Sequence, residues 1–174
     1  MQISGDAKSK IPADAGLDEP QILTVAAQPI ARFRLKVPRA EIRTVMGPAR
    51  AELLAAVAAQ GIATTGPWFT HHFRMDPATF DFEVAVPVAS PIRAAGRVEP
   101  AELRAATVAR TIYRGPFERL GAAWGSFDAW IVAAGRIPAE DLWECYIKGP
   151  ESGSDPSTWE TQLNRPLVLT ASSE

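Results

Sequence analysis

The chain contains a single cysteine, Cys145, among its 174 residues. An internal disulfide framework is excluded, and a reducing compartment, the cytoplasm, is the expected location. Histidine is nearly absent too: His71 and His72 stand side by side and are the only two. Neighbours on a strand point to opposite faces, so they cannot share one metal, and no cluster of Cys, His or Asp supplies further ligands. No metal and no cofactor is expected. There is no apolar leader near the start and no run of about 18 apolar residues, so neither a signal peptide nor a membrane span is expected. Charge of one sign is also missing. A net charge of −2 leaves no footprint for direct binding of nucleic acid or of an anionic membrane. No glycine-rich phosphate loop is present, because the two Gly-Pro stretches lack the glycine spacing and the lysine. Ser126 has no triad partners and Cys145 no nearby histidine, so nucleophilic catalysis through either is not expected.

What is present is a duplication. Residues 76–88 read DPATFDFEVAVPV and residues 155–167 read DPSTWETQLNRPL. Both follow Asp-Pro-small-Thr-aromatic-acid, and both place a proline eleven positions after the aspartate. Upstream, 43–61 and 110–135 each run Arg-Thr, then Gly-Pro, then a stretch with apolar residues at helical spacing, then Gly. The prolines suit helix starts, and Gly61 and Gly135 suit C-terminal caps. The expected elements of the first half are strands near 30–37 and 40–46, a helix near 48–60, and strands near 68–75 and 80–88. Those of the second half are strands near 94–99 and 105–113, a helix over 116–134, and strands near 141–148 and 159–169.

The expected fold is α+β: duplicated β-α-β-β units, repeat 1 over about 22–90 and repeat 2 over about 93–169, related by a pseudo-two-fold axis. They form one curved antiparallel sheet, with a helix from each half on one face and a ligand cleft on the other. Residues 1–20 are polar and without period and read as a loose N-terminal arm, which leaves 21–170 as the folded domain.

The runs VARTIYRGPFERLGAAWGSFDAWIVAAGR, WECYI and TWETQLNRPL, with GPWFTHHF and FDFEVAVPV before them, resemble the GyrI-like small-molecule-binding domain. That domain is also the effector-binding part of some AraC-type and MerR-type regulators. The likeness spans about residues 22–169 and implies the same duplicated β-α-β-β unit. It implies an acid on an E-x-Y strand at the floor of an aromatic pocket for cationic, drug-like compounds. The acid maps onto Glu144, with Tyr146 two positions on. Some stand-alone relatives resemble hydrolases that open cyclopropane-containing genotoxins. The sequence departs from the family at Arg114, where many members carry histidine. No helix-turn-helix is expected ahead of the domain, so this chain is not expected to read DNA by itself.

The stretch DLWECYIKG, 141–149, has a carboxylate between a tryptophan and a tyrosine, which is costly to bury unless its charge is answered. Alternation puts Glu144 and Tyr146 on one face of the strand and Trp143, Cys145 and Ile147 on the other. The apolar triplet suits packing under the helix, so Glu144 and Tyr146 are expected to face the cleft. There Glu144 holds a ligand cation or activates a water. The competing reading pairs it with Arg110 or Arg165 inside the fold. Tyr113 either lines the cleft or ends its strand. Trp124 belongs to a helical aromatic set that is core or pocket edge, and Trp68 is a candidate pocket wall. His71 and Phe73 align with Glu144 and Tyr146 and join the candidate ligand-binding residues; a one-residue shift brings His72 instead. Glu83 is read as solvent-facing, with a second cleft acid as the alternative.

The functional expectation is a small-molecule binder, taking bulky aromatic ligands, cations included, as a sensor or sequestering protein. The alternatives are a hydrolase with Glu144 as base and Tyr146 or Tyr113 polarising the leaving group, or a protein-partner module of the kind that acts on gyrase.

Overall fold

The computed structural model describes residues 11–12 and 15–169; most of the expected arm, and residue 170, lie outside them. The strands are β1 (Gln21–Val25), β2 (Gln28–Pro38), β3 (Phe69–Met75), β4 (Thr79–Pro87), β5 (Glu99–Leu103), β6 (Ala106–Arg114), β7 (Ile137–Pro138), β8 (Leu142–Lys148) and β9 (Glu160–Val168). The helices are α1 (Ile42–Ala59) and α2 (Leu120–Ala133). The folded chain starts before residue 20: Leu17 bridges Tyr113, and Asp18 N–H donates to Ile112 O at 2.9 Å.

The strand expected at 40–46 is helix. Ile42, Met46, Ala49, Leu53 and Val57 pack on the sheet at spacings of three and four, a stripe only a helix can bury. That tertiary contact outweighs the β-branched Ile42, Thr44 and Val45, and Gly47-Pro48 lie inside α1 on its exposed side. The counterpart of Pro116 is therefore Pro38, since each precedes a single 3-10 turn leading into its helix. Gly61 (φ 68°) and Gly135 (φ 77°) end the helices in the left-handed region, as expected. The strand expected at 94–99 is a loop with one bridge, Ala95 to Val98, and β5 follows it.

The eight long strands form one antiparallel sheet in the order β1-β6-β9-β8-β3-β4-β2-β5, and β7 pairs with β9. The repeats are β2-α1-β3-β4 and β6-α2-β8-β9, joined through the β3–β8 pair at the centre. Asp76 and Asp155 do the same job, each capping the backbone N–H two residues on, at 2.7 and 3.0 Å, before β4 and β9 begin. The duplication extends to a defect: the β3–β4 register slips after His72 and the β8–β9 register slips after Tyr146.

Both helices lie on one face. α1 packs on Ala31, Phe33, Phe82, Val84 and Val86, and α2 on Ala109, Tyr113, Leu142, Leu163 and Leu167. The other face is also buried. β5 and β6 stand near opposite ends of the strand order yet are joined by Arg104-Ala105 alone, so the sheet curls. Leu103 and Leu23 from its end strands then pack, with Ile30 of β2, on Phe69 and Trp143 from its middle.

Candidate functional site

Glu144 sits mid-strand in β8, opposite Thr70 of β3 and Leu163 of β9. Those neighbours belong to the helix-bearing face. The face expected for Glu144 and Tyr146 is therefore reversed: they point toward α2, while Trp143 and Cys145 point into the curl. Trp124 Nε1, from α2, donates to Glu144 Oε1 at 2.7 Å, and Tyr146 OH donates to Oε2 at 2.9 Å. Thr70 Oγ1 lies 2.7 Å from Tyr146 OH, and His72 Nε2 lies 3.2 Å from Thr70 Oγ1. With the carboxylate ionised, each proton in this chain has one direction, His72 to Thr70 to Tyr146 to Glu144. The His72 tautomer is thereby assigned with its proton on Nε2.

Glu144 is 9% exposed, and its partners are an indole and a phenol, both neutral. Neither expected arginine answers it. Arg110 lies on the other face with Nε donating to Asn164 Oδ1 at 2.7 Å, and Arg165 Nε stands 3.8 Å from Asp128. Burial raises the Glu144 pKa above the ordinary carboxylate value, and the two hydrogen bonds offset this only in part. Burial, then the nearby carboxylate, pushes the Tyr146 phenol well above its usual range. Burial, then neighbouring His71 and Arg39, holds His72 at about 4, so it is neutral at pH 7.

Aromatic rings close over the acid. Trp68 and Tyr146 have ring centroids 4.5 Å apart. Phe117 meets Tyr146 edge-on at 6.1 Å and lies 5.0 Å from Trp159. Trp68, Phe117 and Trp159 are half-buried and form the outer layer. Three polar atoms on this face, Trp68 Nε1, His72 Nδ1 and Thr161 Oγ1, are buried with no hydrogen-bond partner among the described residues. Neither the 390 Å³ cavity inside the curl nor the 290 Å³ cavity beside Tyr113 is lined by Glu144.

The structure thus gathers Glu144, Tyr146, Trp124 and Trp68, and leaves three candidates elsewhere. His71 points into the curl, bonded to Glu83 Oε1 through Nδ1 at 3.1 Å and to Asp141 Oδ2 through Nε2 at 2.8 Å. Phe73, at the bulge, lies against His71 and under the Arg34 guanidinium. The shared bulge makes His72, not His71, the counterpart of Tyr146, and Thr70 the counterpart of Glu144. Tyr113 faces α2 but donates to Pro116 O at 2.8 Å, tying down its own strand end. Glu83 is not solvated: it lies on the helix-free face, inside the curl, where the alternative put it, and there it is 3% exposed and holds Arg32 at 2.7 Å as well as His71. Phe117 and Trp159 are additions to the site. Trp159 was visible as the aromatic of the second Asp-Pro motif, and Phe117 as the residue after Gly115-Pro116. Among the described residues no group of three His, Cys, Asp or Glu side chains could hold a metal, and no helix is long and apolar enough to cross a membrane.

A family model described as the GyrI-like small molecule binding domain matches residues 18–167. No protein of curated function matches the chain in sequence. Among solved structures, EcmrR in its DNA complex aligns with TM-score 0.77 and 19% identity over 90% of this chain, which spans only 59% of EcmrR. The EcmrR C-terminal domain alone is covered to 98%, at TM-score 0.76, 19% identity and 87% of this chain. A hydrolase of Listeria innocua aligns at TM-score 0.62 and 12% identity, over 86% of this chain and 92% of that one. SAV2435, solved with tetraphenylphosphonium, aligns at TM-score 0.60 and 9% identity, over 87% and 94%. At these identities the structural likenesses establish the fold alone.

Proposed function

The chain belongs to the GyrI-like small molecule binding domain family, and from the geometry around Glu144 we propose that it captures bulky aromatic cations. The observation that carries this reading is a buried carboxylate whose only partners among the described residues are neutral, roofed by aromatic rings. A cation docked beside Glu144 supplies the missing charge where the low dielectric makes it count most. Rings at Trp68, Tyr146, Phe117 and Trp159 add cation–π attraction of about 0.5–2 kcal/mol each. Entry requires the half-buried outer rings to swing aside. Trp68 has no indole hydrogen bond to lose in doing so. A relative of the same fold solved with tetraphenylphosphonium supports this ligand chemistry. In this reading the chain is the ligand-sensing or sequestering part, a cytoplasmic domain that does not itself touch nucleic acid. EcmrR, of which it spans 59%, is the model for how such a part joins a DNA reader.

Titration with tetraphenylphosphonium, followed by tryptophan fluorescence, tests it. The expected result is one site per chain, little affinity for neutral triphenylphosphine oxide, and at least about a tenfold loss in Glu144→Gln, about 1.4 kcal/mol. Unchanged affinity in that variant sinks the reading.

A second reading is favoured by the directed proton chain His72–Thr70–Tyr146–Glu144. Glu144, its pKa raised, would take a proton from a water as its oxygen bonds to a strained ring carbon of a cyclopropane-type electrophile; the ring C–C bond breaks, the fragment that takes its electron pair is protonated by Tyr146, and Glu144 returns its proton to Tyr146. Mass spectrometry of such an alkylator with substoichiometric protein decides: a water adduct in excess of protein supports hydrolysis, and none removes it for that substrate.

A further inference from the structure

We propose that the inside of the curled sheet holds a second ligand site, for small apolar carboxylates, anchored by Arg110. This goes beyond the Glu144 reading and uses none of its residues. The 390 Å³ cavity there is of the size small ligands occupy. Its walls include Phe69, Leu103, Trp143 and Ile147, with the amides of Gln28 and Gln162 between them. Among the described residues no acid lines it, and Arg110 is its only charged side chain.

Arg110 is placed there by alternation on β6. Ala109, Thr111 and Tyr113 face α2, so Arg110 faces the curl. Its register neighbour in β9 is Asn164, which is fully buried. Asn164 Oδ1 accepts from Arg110 Nε at 2.7 Å, and Asn164 Nδ2 donates to Gln162 Oε1 at 3.2 Å. The amide is therefore used on both sides and fixes the guanidinium plane. Neither terminal Nη atom has a hydrogen bond or ion pair among the described residues, and both reach the solvent of the cavity rather than being sealed from it. The nearby Cys145 thiol is pushed up to about 12 by burial and stays neutral, so it supplies no anion. Burial holds Arg110 below its ordinary value, the direction expected of a cation short of a counter-charge.

A pre-oriented fork with two free Nη donors matches the two oxygens of a carboxylate. The apolar walls then fit an alkyl or aryl body rather than a sugar or phosphate ester. Ile147, partly exposed at 39%, stands where such a body meets solvent.

Calorimetric titration of the full chain with decanoate tests the site, with decanol as its uncharged counterpart. One decanoate per chain is expected, with decanol at least about tenfold weaker. Arg110→Met should cost a similar factor while leaving tetraphenylphosphonium affinity unchanged, and Glu144→Gln should leave decanoate affinity unchanged. Because Arg110→Met removes the Asn164 bond as well, Ile147→Trp provides a variant that fills the cavity with the arginine intact, and it should also block decanoate. Undiminished binding in both variants, equal affinity for decanol, or no heat with decanoate overturns the proposal. Loss of decanoate binding in Glu144→Gln overturns it as well, by moving the ligand to the other face.

Discussion

Two buried acidic clusters flank the central β3–β8 pair, one on each face. Inside the curl, Glu83 and Asp141 share His71 and are also met by Arg32 and Arg104. On the helix face, Glu144 is met by Trp124 and Tyr146 alone. Burial by itself would raise all three carboxylates. His71 and the arginines overcome it and hold Glu83 and Asp141 below their ordinary values, whereas neutral donors leave Glu144 raised. The first cluster is complete and ties together β3, β4, the start of β8 and the β5–β6 turn. The second has no counter-charge among the described residues. In the proposed reading, a buried charge is a ligand site only where the protein withholds its counter-charge.

The contrast can be broken from its complete side first. Glu83→Gln removes the buried charge shared by His71 and Arg32, leaving them Asp141 and the exposed Glu99, and is expected to destabilise by about 3 kcal/mol, read by chemical denaturation. A change under about 0.5 kcal/mol would remove the distinction.

Glu144→Gln should act the other way. It deletes a buried uncompensated charge while keeping an acceptor for Trp124, so at pH 7 stability should rise by about 1 kcal/mol even as cation affinity falls. Since the folded pKa is raised, the carboxylate's contribution weakens as pH rises above its ordinary 4.5 toward the folded value. The advantage of the variant should therefore vanish in acid, and cation binding should weaken as pH falls through the same range. An advantage that persists unchanged below pH 4.5 would contradict the assignment.

His71 supplies a third test. Its pKa is raised, because Asp141 and Glu83 outweigh the burial that would lower it. Its contribution is full below its ordinary 6.5 and is lost as pH rises through the folded value. Glu83 contributes above its ordinary 4.5 and Asp141 above 3.8, each losing that contribution as pH falls. The cluster is thus strongest between about 4.5 and 6.5, and His71→Gln should flatten Tm across that window and above it. The smallest effect is expected at Tyr113→Phe, about 1 kcal/mol from the lost bond to Pro116, with ligand affinity unchanged.

Much of this was legible in the sequence because it is local. The Asp-Pro motifs cap their own turns, and Gly61 and Gly135 end their own helices. Glu144 stood out because a carboxylate among aromatics needs an explanation in any fold. The side it faces was not legible. Alternation separates Glu144 and Tyr146 from Trp143 and Cys145, but the apolar set goes under a helix only if one face of the sheet is buried, and here the curl buries both. In β3 the residues on the Glu144 face are Thr70 and His72, the one-residue shift held as the alternative, and only the pairing of Thr70 opposite Glu144 across β3–β8 settles that register. Glu83 reads as solvent-facing in the sequence, and only the pairing of β2 with β4 sets Arg32 against Glu83 and Arg34 against Asp81.

Sequence alone determined the duplication, the two helix ends at Gly61 and Gly135, and the candidate acid Glu144, since these rest on contacts within a few residues and on side-chain chemistry; the segments at 40–46 and 94–99 took their form from tertiary packing. Only the tertiary structure decided which charges are answered. Countercharges come from strands far apart in the chain: Arg32 lies 51 residues from Glu83, and Asp141 lies 70 from His71. Whether a buried charge is a structural pair or an open ligand site depends on pairings that exist only once the sheet has curled.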